Sequence, residues 1–267
     1  MKKYNSKEIL IQKASGEREL FDVSKLKQSL KNAGAKDEVI AGIADDIQQW
    51  IYEGATTRRI YERAYQLLRF RKQPGALRYR LKKALFSMGP SGYPFEHFIG
   101  ELFRQMGFDV QVGVVVEGVT ITHEIDVIAT KGRMQHLMEC KYTHDQGNRL
   151  NVQVPLYVHS RVDDIVEKRH QETKYRDFTF SAWVVTNGRF SSDSEAYSRS
   201  KKIQLLGWDY PNGKGLKDLI EKENVYPVTI LKSLGKKEQQ QLMESGIVTC
   251  NQLLDHSGIL STLLLSD

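Results

Sequence analysis

The sequence predicts a multidomain protein of the α+β class: a β-hairpin with helices, then an α/β domain, then a small helical tail. Three observations support this division. Residues 1–89 show two short extended segments followed by helical periodicity, residues 90–223 alternate helical and extended patterns, and residues 224–267 hold short helices separated by glycines. A chain of 267 residues with 40% hydrophobic residues is long enough for about two domains with their own cores.

The excess positive charge of the chain lies in its first third. The net charge is +6, yet residues 1–90 alone contain 19 Lys and Arg against 10 Asp and Glu. Two distant cysteines without a Cys-x-x-Cys pair exclude a disulfide scaffold and a cysteine-based zinc finger, and they indicate a reducing compartment. The apolar stretches are too short to span a bilayer, so we expect a cytoplasmic protein that does not contact membranes.

The first region predicts a β-hairpin followed by four helices. Extended segments at 8–13 and 18–21 flank a turn at Ser15 and Gly16. Apolar residues recur at helical spacing in four segments, which are 23–32, 37–52, a helix that begins at the Thr56–Thr57 cap, and 74–88. A glycine-containing linker at 89–92 ends the region.

The second region predicts an α/β domain. Helices are expected at 94–106, 152–175 and 192–201. Strands are expected at 108–116, 120–129, 135–142, 181–186 and 203–206. The tail from residue 225 should form two or three short helices that are separated at Gly235 and Gly246.

The most informative residues are Asp126, Glu139 and Lys141. Side chains alternate faces along a strand, so Glu139 and Lys141 project from the same face, and Asp126, at the end of the preceding strand, can approach Glu139. Two carboxylates and an ammonium that converge in this way can bind Mg²⁺ and activate a water for attack on a phosphate. On spacing alone, solvated charges on an exposed sheet face explain the pattern equally well.

The order of these elements resembles the PD-(D/E)XK nucleases, and most closely their Mrr-like restriction endonuclease branch. The resemblance covers about residues 92–222 and includes the segments 92–98, 184–187, 190–191, 196–197 and 203–206. It implies that Mg²⁺ or Mn²⁺ is bound by Asp126, Glu139 and Glu96, and that these three act in catalysis together with Lys141. Many Mrr-like members have glutamine where this chain has Glu139.

Three further residues near this motif have two interpretations. A glutamate in the first turn of a helix, such as Glu96, also interacts favourably with the helix dipole. Gln153 and Tyr157 are similar to the Gln-x-x-x-Tyr element of some exonucleases of the superfamily. Their spacing is interpreted first as one face of a helix and second as part of the site.

The first region resembles the ATP-cone, a nucleotide-sensing domain of ribonucleotide reductases and of a repressor of their genes. The resemblance covers about residues 7–88 and rests on the segments 13–17, 21–26, 54–60 and 78–80, although Ala14 replaces the family's usual arginine. It implies ATP or dATP as a regulatory ligand. The implied contacts are Lys13 and Lys25 to the phosphates, Glu19 or Asp22 near the base or ribose, and Thr57 at the pocket.

Other interpretations remain open for both ends of the chain. Ten basic residues between Arg58 and Lys83, against one acid, also fit a solvated basic face or a track for DNA phosphates. The tail resembles a helix-hairpin-helix module at 231–236 and 243–249, which often binds DNA nonspecifically. Because the tail has few cationic donors, packing or self-association suits it at least as well.

Together these features predict a Mg²⁺-dependent DNA endonuclease that hydrolyses phosphodiester bonds and is regulated by ATP or dATP. We also expect the protein to form a homo-oligomer and to act in defence against foreign DNA. The alternatives are a nucleotide-responsive DNA-binding regulator with an inactive nuclease fold, and a nuclease that cleaves RNA.

Overall fold

The structure is a computed structural model that describes residues 9–13, 16–71, 75–256 and 258. The chain divides into two compact units, Met1–Leu81 and Lys82–Asp267. Three positions mentioned above lie outside the described residues: Ala14 and Ser15 at the expected hairpin turn, and Pro74 at the start of the expected fourth helix. Within the described residues, none of the helices combines the length and the apolar character that a membrane crossing requires.

The first unit has the predicted order of a β-hairpin followed by helices. Its elements are β1 (Leu10–Gln12), β2 (Arg18–Leu20), α1 (Val23–Asn32), α2 (Asp37–Trp50), α3 (Thr57–Phe70) and α4 (Gly75–Leu85). The strands β1 and β2 pair antiparallel, with Ile11 opposite Glu19. The boundary between the two compact units falls inside α4.

Local capping explains where two of these helices begin. Asp22 accepts a hydrogen bond from the backbone N–H of Ser24 at 2.8 Å, and Thr56 accepts one from that of Arg59 at 3.2 Å. Both caps satisfy backbone donors that a helix cannot satisfy by itself. Apolar residues from the hairpin and the helices then share one core, which includes Ile9, Ile11, Phe21, Leu26, Leu30, Ile43, Ile47, Ile60 and Leu68.

The second unit contains a mixed five-stranded sheet. The elements up to the sheet's third strand are α5 (Tyr93–Gln105), β3 (Asp109–Glu117), β4 (Thr122–Lys131) and β5 (Met134–Lys141). The following elements are β6 (Arg149–Leu150), α6 (Gln153–His170), β7 (Thr179–Thr186), β8 (Arg189–Phe190), α7 (Ser192–Lys201), β9 (Gln204–Leu206) and α8 (Leu216–Glu223). The sheet order is β3-β4-β5-β7-β9, in which β3, β4 and β5 are antiparallel and β5, β7 and β9 are parallel.

Helices α5 and α6 cover opposite faces of this sheet. On one face α5 approaches β3 closely at Gly100, where an added Cβ would lie 2.7 Å from the Cγ2 of Val112. Phe103 of α5 also contacts the ring of His136 on β5. On the other face α6 packs against Leu137, the next residue of β5, through a buried row formed by Val158, Val162 and Ile165. This alternation along β5 matches the prediction that successive side chains face opposite sides.

The observed elements differ from those expected from the sequence at three places in this unit. Asp126 does not end a strand; it lies inside β4, four residues after Thr122 and five residues before Lys131. The helix predicted at 152–175 ends at His170 and is followed by a short 3-10 turn at Thr173–Tyr175. The small parallel pair β6–β8 and helix α8 were not predicted, because two strands of two residues and one helix of eight residues are too short to show clear periodicity.

The tail belongs to the second compact unit. It contains a 3-10 turn at Val228–Ile230 and the helices α9 (Lys236–Glu244) and α10 (Cys250–Asp255), in agreement with the predicted short helices. An isolated bridge joins Pro227 to Thr249. The hydroxyl of Thr229 donates to the carbonyl of Ala84 at 2.8 Å, so the tail is anchored to the start of this unit.

Candidate functional site

The regular pairing of β4 with both neighbouring strands is interrupted at Asp126. The pairing of β4 with β5 begins at Val127, opposite Met138, and does not include Asp126. On the other side, Gly113 lies opposite Asp126 between two regular pairs of β3 and β4, and its φ of +62° belongs to the left-handed region that favours glycine. The Asp126 carboxylate is therefore free to turn toward β5, where its Oδ2 accepts the backbone N–H of Cys140 at 2.7 Å.

Glu139 is the most strongly contacted group of the site. It is only 6% exposed, and its Oε1 lies 2.7 Å from the Nζ of Lys141 and accepts the Tyr157 hydroxyl at 2.6 Å. Its Oε2 accepts a bond from Arg161 at 2.5 Å. A buried carboxylate requires such donors, because burial without them is costly.

Lys141 lies on the same face of β5 as Glu139, as the alternation of side chains predicted. Burial lowers the pKa of Lys141, but the hydrogen bond and charge of Glu139 outweigh that effect and raise the pKa above its usual value. The pKa of Tyr157 is raised to about 12 by burial and by its bond to Glu139. At neutral pH Lys141 is therefore an ammonium and Tyr157 is a neutral hydrogen-bond donor.

Glu96 and Asp126 form the less compensated part of the site. Burial, and after it the charges of Asp126, Glu124 and Glu139, raise the pKa of Glu96 to about 7. Burial and the charge of Glu139 raise the pKa of Asp126 to about 6, against the opposing effect of the Cys140 N–H and of Lys141. The charges of Asp126 and Glu139 thus act on Glu96, which lies on α5, while Lys141 contacts Glu139 directly.

The donor set suits a hard divalent cation, although no three-residue cluster is already arranged around one. Within the described residues, no group of three or more His, Cys, Asp and Glu is placed to hold a metal ion. Mg²⁺ needs only one or two carboxylates and completes its octahedron with water. Asp126 and Glu139 lie on adjacent strands and offer carboxylate oxygens, and the positive charge near Asp126 does not offset its burial, so the pair fits that requirement.

Two residues of α6 complete the surroundings of Glu139. Tyr157 was predicted only as a secondary interpretation, and its contact with Glu139 brings it into the site, whereas Gln153 is exposed and bonds locally to Asn151. Arg161 was not predicted at all. Its signal was present in the sequence, since Gln153, Tyr157 and Arg161 are each four residues apart and so share one face of the helix.

The first unit gathers three of the five residues predicted for nucleotide binding. Glu19 accepts both Lys13 at 3.2 Å and Lys25 at 3.1 Å. Asp22 caps α1 through Ser24, and these hydrogen bonds lower the pKa of its carboxyl. Thr57 opens α3 directly after Thr56, the residue that bridges to Gln12 at the end of β1. The ammonium groups of Lys13 and Lys25 therefore lie close together, whereas the Asp22 carboxylate already caps α1.

Two family models match parts of the chain. Residues 89–219 match the Mrr catalytic family model, which is described as a restriction endonuclease. This segment is similar to a restriction endonuclease domain of the PD-(D/E)XK type. It contains β3, β4, β5 and α6, and therefore every residue that surrounds Glu139. Residues 226–267 match a second model, described as AF1548-like, C-terminal.

One curated protein and two solved structures are similar to parts of this chain. An uncharacterized protein of Archaeoglobus fulgidus is 29% identical over 156 residues, which are 58% of this chain and 83% of that protein. The crystal structure of AF1548, a protein of unknown function, aligns with a TM-score of 0.55 and 28% identity over 66% of this chain and 90% of the other. MspJI restriction endonuclease, solved with a 27-mer oligonucleotide, aligns over 65% of this chain and 36% of its own, with 13% identity and a TM-score of only 0.38.

Proposed function

We propose that this protein is an endonuclease that uses Mg²⁺ or Mn²⁺ to hydrolyse phosphodiester bonds of DNA. The observation that carries the proposal is the convergence of Asp126, Glu139 and Lys141 at the point where β4 and β5 stop pairing. The match of residues 89–219 to the restriction endonuclease family supports the same reaction class.

The residues of the site have distinct roles in this proposal. Asp126 and Glu139 would hold the divalent cation, which when bound polarises a phosphoryl oxygen and lowers the pKa of a water. Lys141, as an ammonium, would stabilise the negative charge that develops on the phosphate. Glu96, whose pKa of about 7 allows it to exchange a proton near neutral pH, would accept a proton from water at the edge of the site.

Cleavage of a closed circular plasmid tests this proposal. Purified protein is incubated with plasmid in the presence of Mg²⁺, Mn²⁺ or EDTA, and linear and nicked products are measured. Lys141→Ala should reduce the rate by about a hundredfold or more, because it removes a charge that stabilises the transition state. The matched control is Lys174→Ala, which removes an exposed lysine of the same domain that pairs with Glu172.

Several results would contradict the proposal. A Lys141→Ala variant that cuts as fast as the wild type would show that the site does not carry the activity. Degradation of linear DNA without any linearisation of the plasmid would indicate an exonuclease. An RNA strand of the same sequence is included, and cleavage of RNA alone would change the substrate class.

We also propose that ATP or dATP binds to the first unit and regulates this activity. Glu19 pairs with both Lys13 and Lys25, and Lys13 also pairs with Glu17. The shared Glu19 supports the proposal, since it holds two cations together at the surface where a triphosphate can reach them. Asp22 lies at the start of α1, close to Glu19 and Lys25 in sequence, and Thr57 follows Thr56, which bridges to Gln12 next to Lys13. The N-terminal ends of helices favour anions, which suits a phosphate ligand.

Calorimetry with ATP and dATP tests the nucleotide site. Lys25→Ala should weaken binding about tenfold or more, because one charge-assisted contact to a phosphate is worth about 1.5–3 kcal/mol. Lys27→Ala, which changes an exposed lysine of the same helix, is the matched control and should leave the affinity unchanged. A wild type that binds neither nucleotide at about millimolar concentration would favour the DNA-phosphate track instead.

A further inference from the structure

We propose that Arg161 is a positioning residue that competes with the divalent metal for Glu139. Arg161 neutralises Glu139 in this structure, and its guanidinium would turn toward the phosphate of the substrate when Glu139 holds the cation. This inference rests on the metal-dependent nuclease function proposed above.

The contacts of Glu139 leave neither oxygen without a donor. Lys141 and Tyr157 occupy Oε1, and Arg161 occupies Oε2 at 2.5 Å. Asp126, by contrast, accepts one backbone N–H in the described contacts of its carboxylate. A cation that binds between Asp126 and Glu139 therefore meets a positively charged donor on either oxygen of Glu139, whereas the described contacts of the Asp126 carboxylate include no side-chain cation.

Arg161 is the donor best suited to leave. Lys141 stands only two residues from Glu139 on the same strand and stays beside it. Arg161 reaches Glu139 from α6 through a long side chain and keeps a second acceptor, the carbonyl of Glu124, at 3.1 Å. Because a guanidinium cannot release its proton, its charge opposes a nearby divalent cation, and its planar fork suits two oxygens of a phosphate.

Helix α6 does not depend on Arg161 for its place on the sheet. Val158, Val162 and Ile165 bury its inner face against the core. Asp164 ties the helix to the hairpin between β3 and β4 through bonds from Thr120 and His123. A substitution of Arg161 should therefore change the charge at Glu139 while the helix keeps its position.

Calorimetric titration of Mn²⁺ into metal-free protein, without DNA, tests the inference. Arg161→Met keeps an unbranched side chain of similar length but removes the charge, so we expect Mn²⁺ to bind about tenfold more tightly than in the wild type. Arg133→Met, which removes an exposed arginine paired with Asp177, should leave the affinity at the wild-type value. At saturating Mn²⁺, Arg161→Met should raise KM for DNA more than it lowers kcat.

The outcomes separate this inference from the proposed function. Asp126→Asn should abolish Mn²⁺ binding in both the wild type and the Arg161→Met background, which assigns the heat to this site. If the wild type binds Mn²⁺ and Arg161→Met binds it equally or more weakly, the competition is overturned while the nuclease proposal stands. If neither protein binds Mn²⁺, the metal-dependent function and the inference are both overturned.

Discussion

Asp126 and Glu139 are neighbouring carboxylates whose surroundings differ sharply. Glu139 is held by an ammonium, a guanidinium and a phenol, whereas Asp126 has a backbone N–H as its described partner. Burial and the charge of Glu139 raise the pKa of Asp126 to about 6, so the ionised form of Asp126 is disfavoured in the folded protein. Asp126 therefore lowers the stability of the metal-free protein at neutral pH, as expected of a group retained for function.

The first prediction concerns this cost. Asp126→Asn should leave the free energy of unfolding of the metal-free protein unchanged or raise it by about 1–3 kcal/mol at neutral pH, because it removes a buried charge and keeps an acceptor for Cys140. Urea denaturation without divalent cations measures this, and the exposed Asp177→Asn is the control, expected within about 0.5 kcal/mol of the wild type. A loss of more than about 1 kcal/mol in Asp126→Asn would show that the ionised carboxylate stabilises the fold.

At the scale of elements, the position of α6 determines whether Tyr157 and Arg161 reach Glu139. Asp164 binds the backbone N–H of Thr120 at 3.0 Å, its hydroxyl at 2.8 Å and the ring of His123 at 2.7 Å. Gly118 makes room for this contact, since a Cβ added there would lie 1.9 Å from the Oδ2 of Asp164. The hairpin and the helix are thus tied together close to the site.

The second prediction follows from the titration of Asp164. The hydrogen bond from His123, together with those from Thr120, lowers the pKa of Asp164 to about 2. A carboxyl whose pKa is lower in the folded than in the unfolded state stabilises the fold above its unfolded pKa, and this contribution is lost as the pH falls from about 4 to about 2. The urea midpoint of Asp164→Asn should therefore be below that of the wild type near neutral pH and approach it at acid pH.

The control for this experiment is Asp109→Asn, which changes an exposed aspartate at the start of β3 and whose midpoint should follow that of the wild type at each pH. A difference between Asp164→Asn and the wild type that persists undiminished at about pH 2 would show that packing, and not the ionised carboxylate, provides the link.

At the scale of the whole molecule, the two compact units raise the question of how nucleotide binding affects cleavage. A ligand shifts an equilibrium only when it binds one state better than the other. We therefore predict that the nucleotide changes subunit association in a homo-oligomer and, with it, the rate of plasmid cleavage. Light scattering and cleavage, followed across one ATP or dATP titration, should change together.

The variant Lys25→Ala serves as the control, because it should move both responses to higher nucleotide concentration by the same factor. If mass and rate both stay constant while calorimetry reports saturation of the wild type, the first unit does not regulate cleavage through association.

Much of the architecture could be predicted because it depends on interactions close in sequence. Helical periodicity and the caps Asp22 and Thr56 act within a few residues, so the hairpin and the four helices of the first unit were anticipated. Alternation along a strand placed Glu139 and Lys141 on one face for the same reason.

The sequence by itself thus determined most of the longer elements, the pair on β5 and the resemblance to restriction endonucleases. The tertiary structure decided which residues distant in sequence contact the pair on β5. The i, i+4 spacing shows that Tyr157 and Arg161 share a face of α6, but only packing against the sheet directs that face toward Glu139. The pKa values of Glu96 and Asp126 depend likewise on burial and on charges from other elements, which act through space and not along the chain.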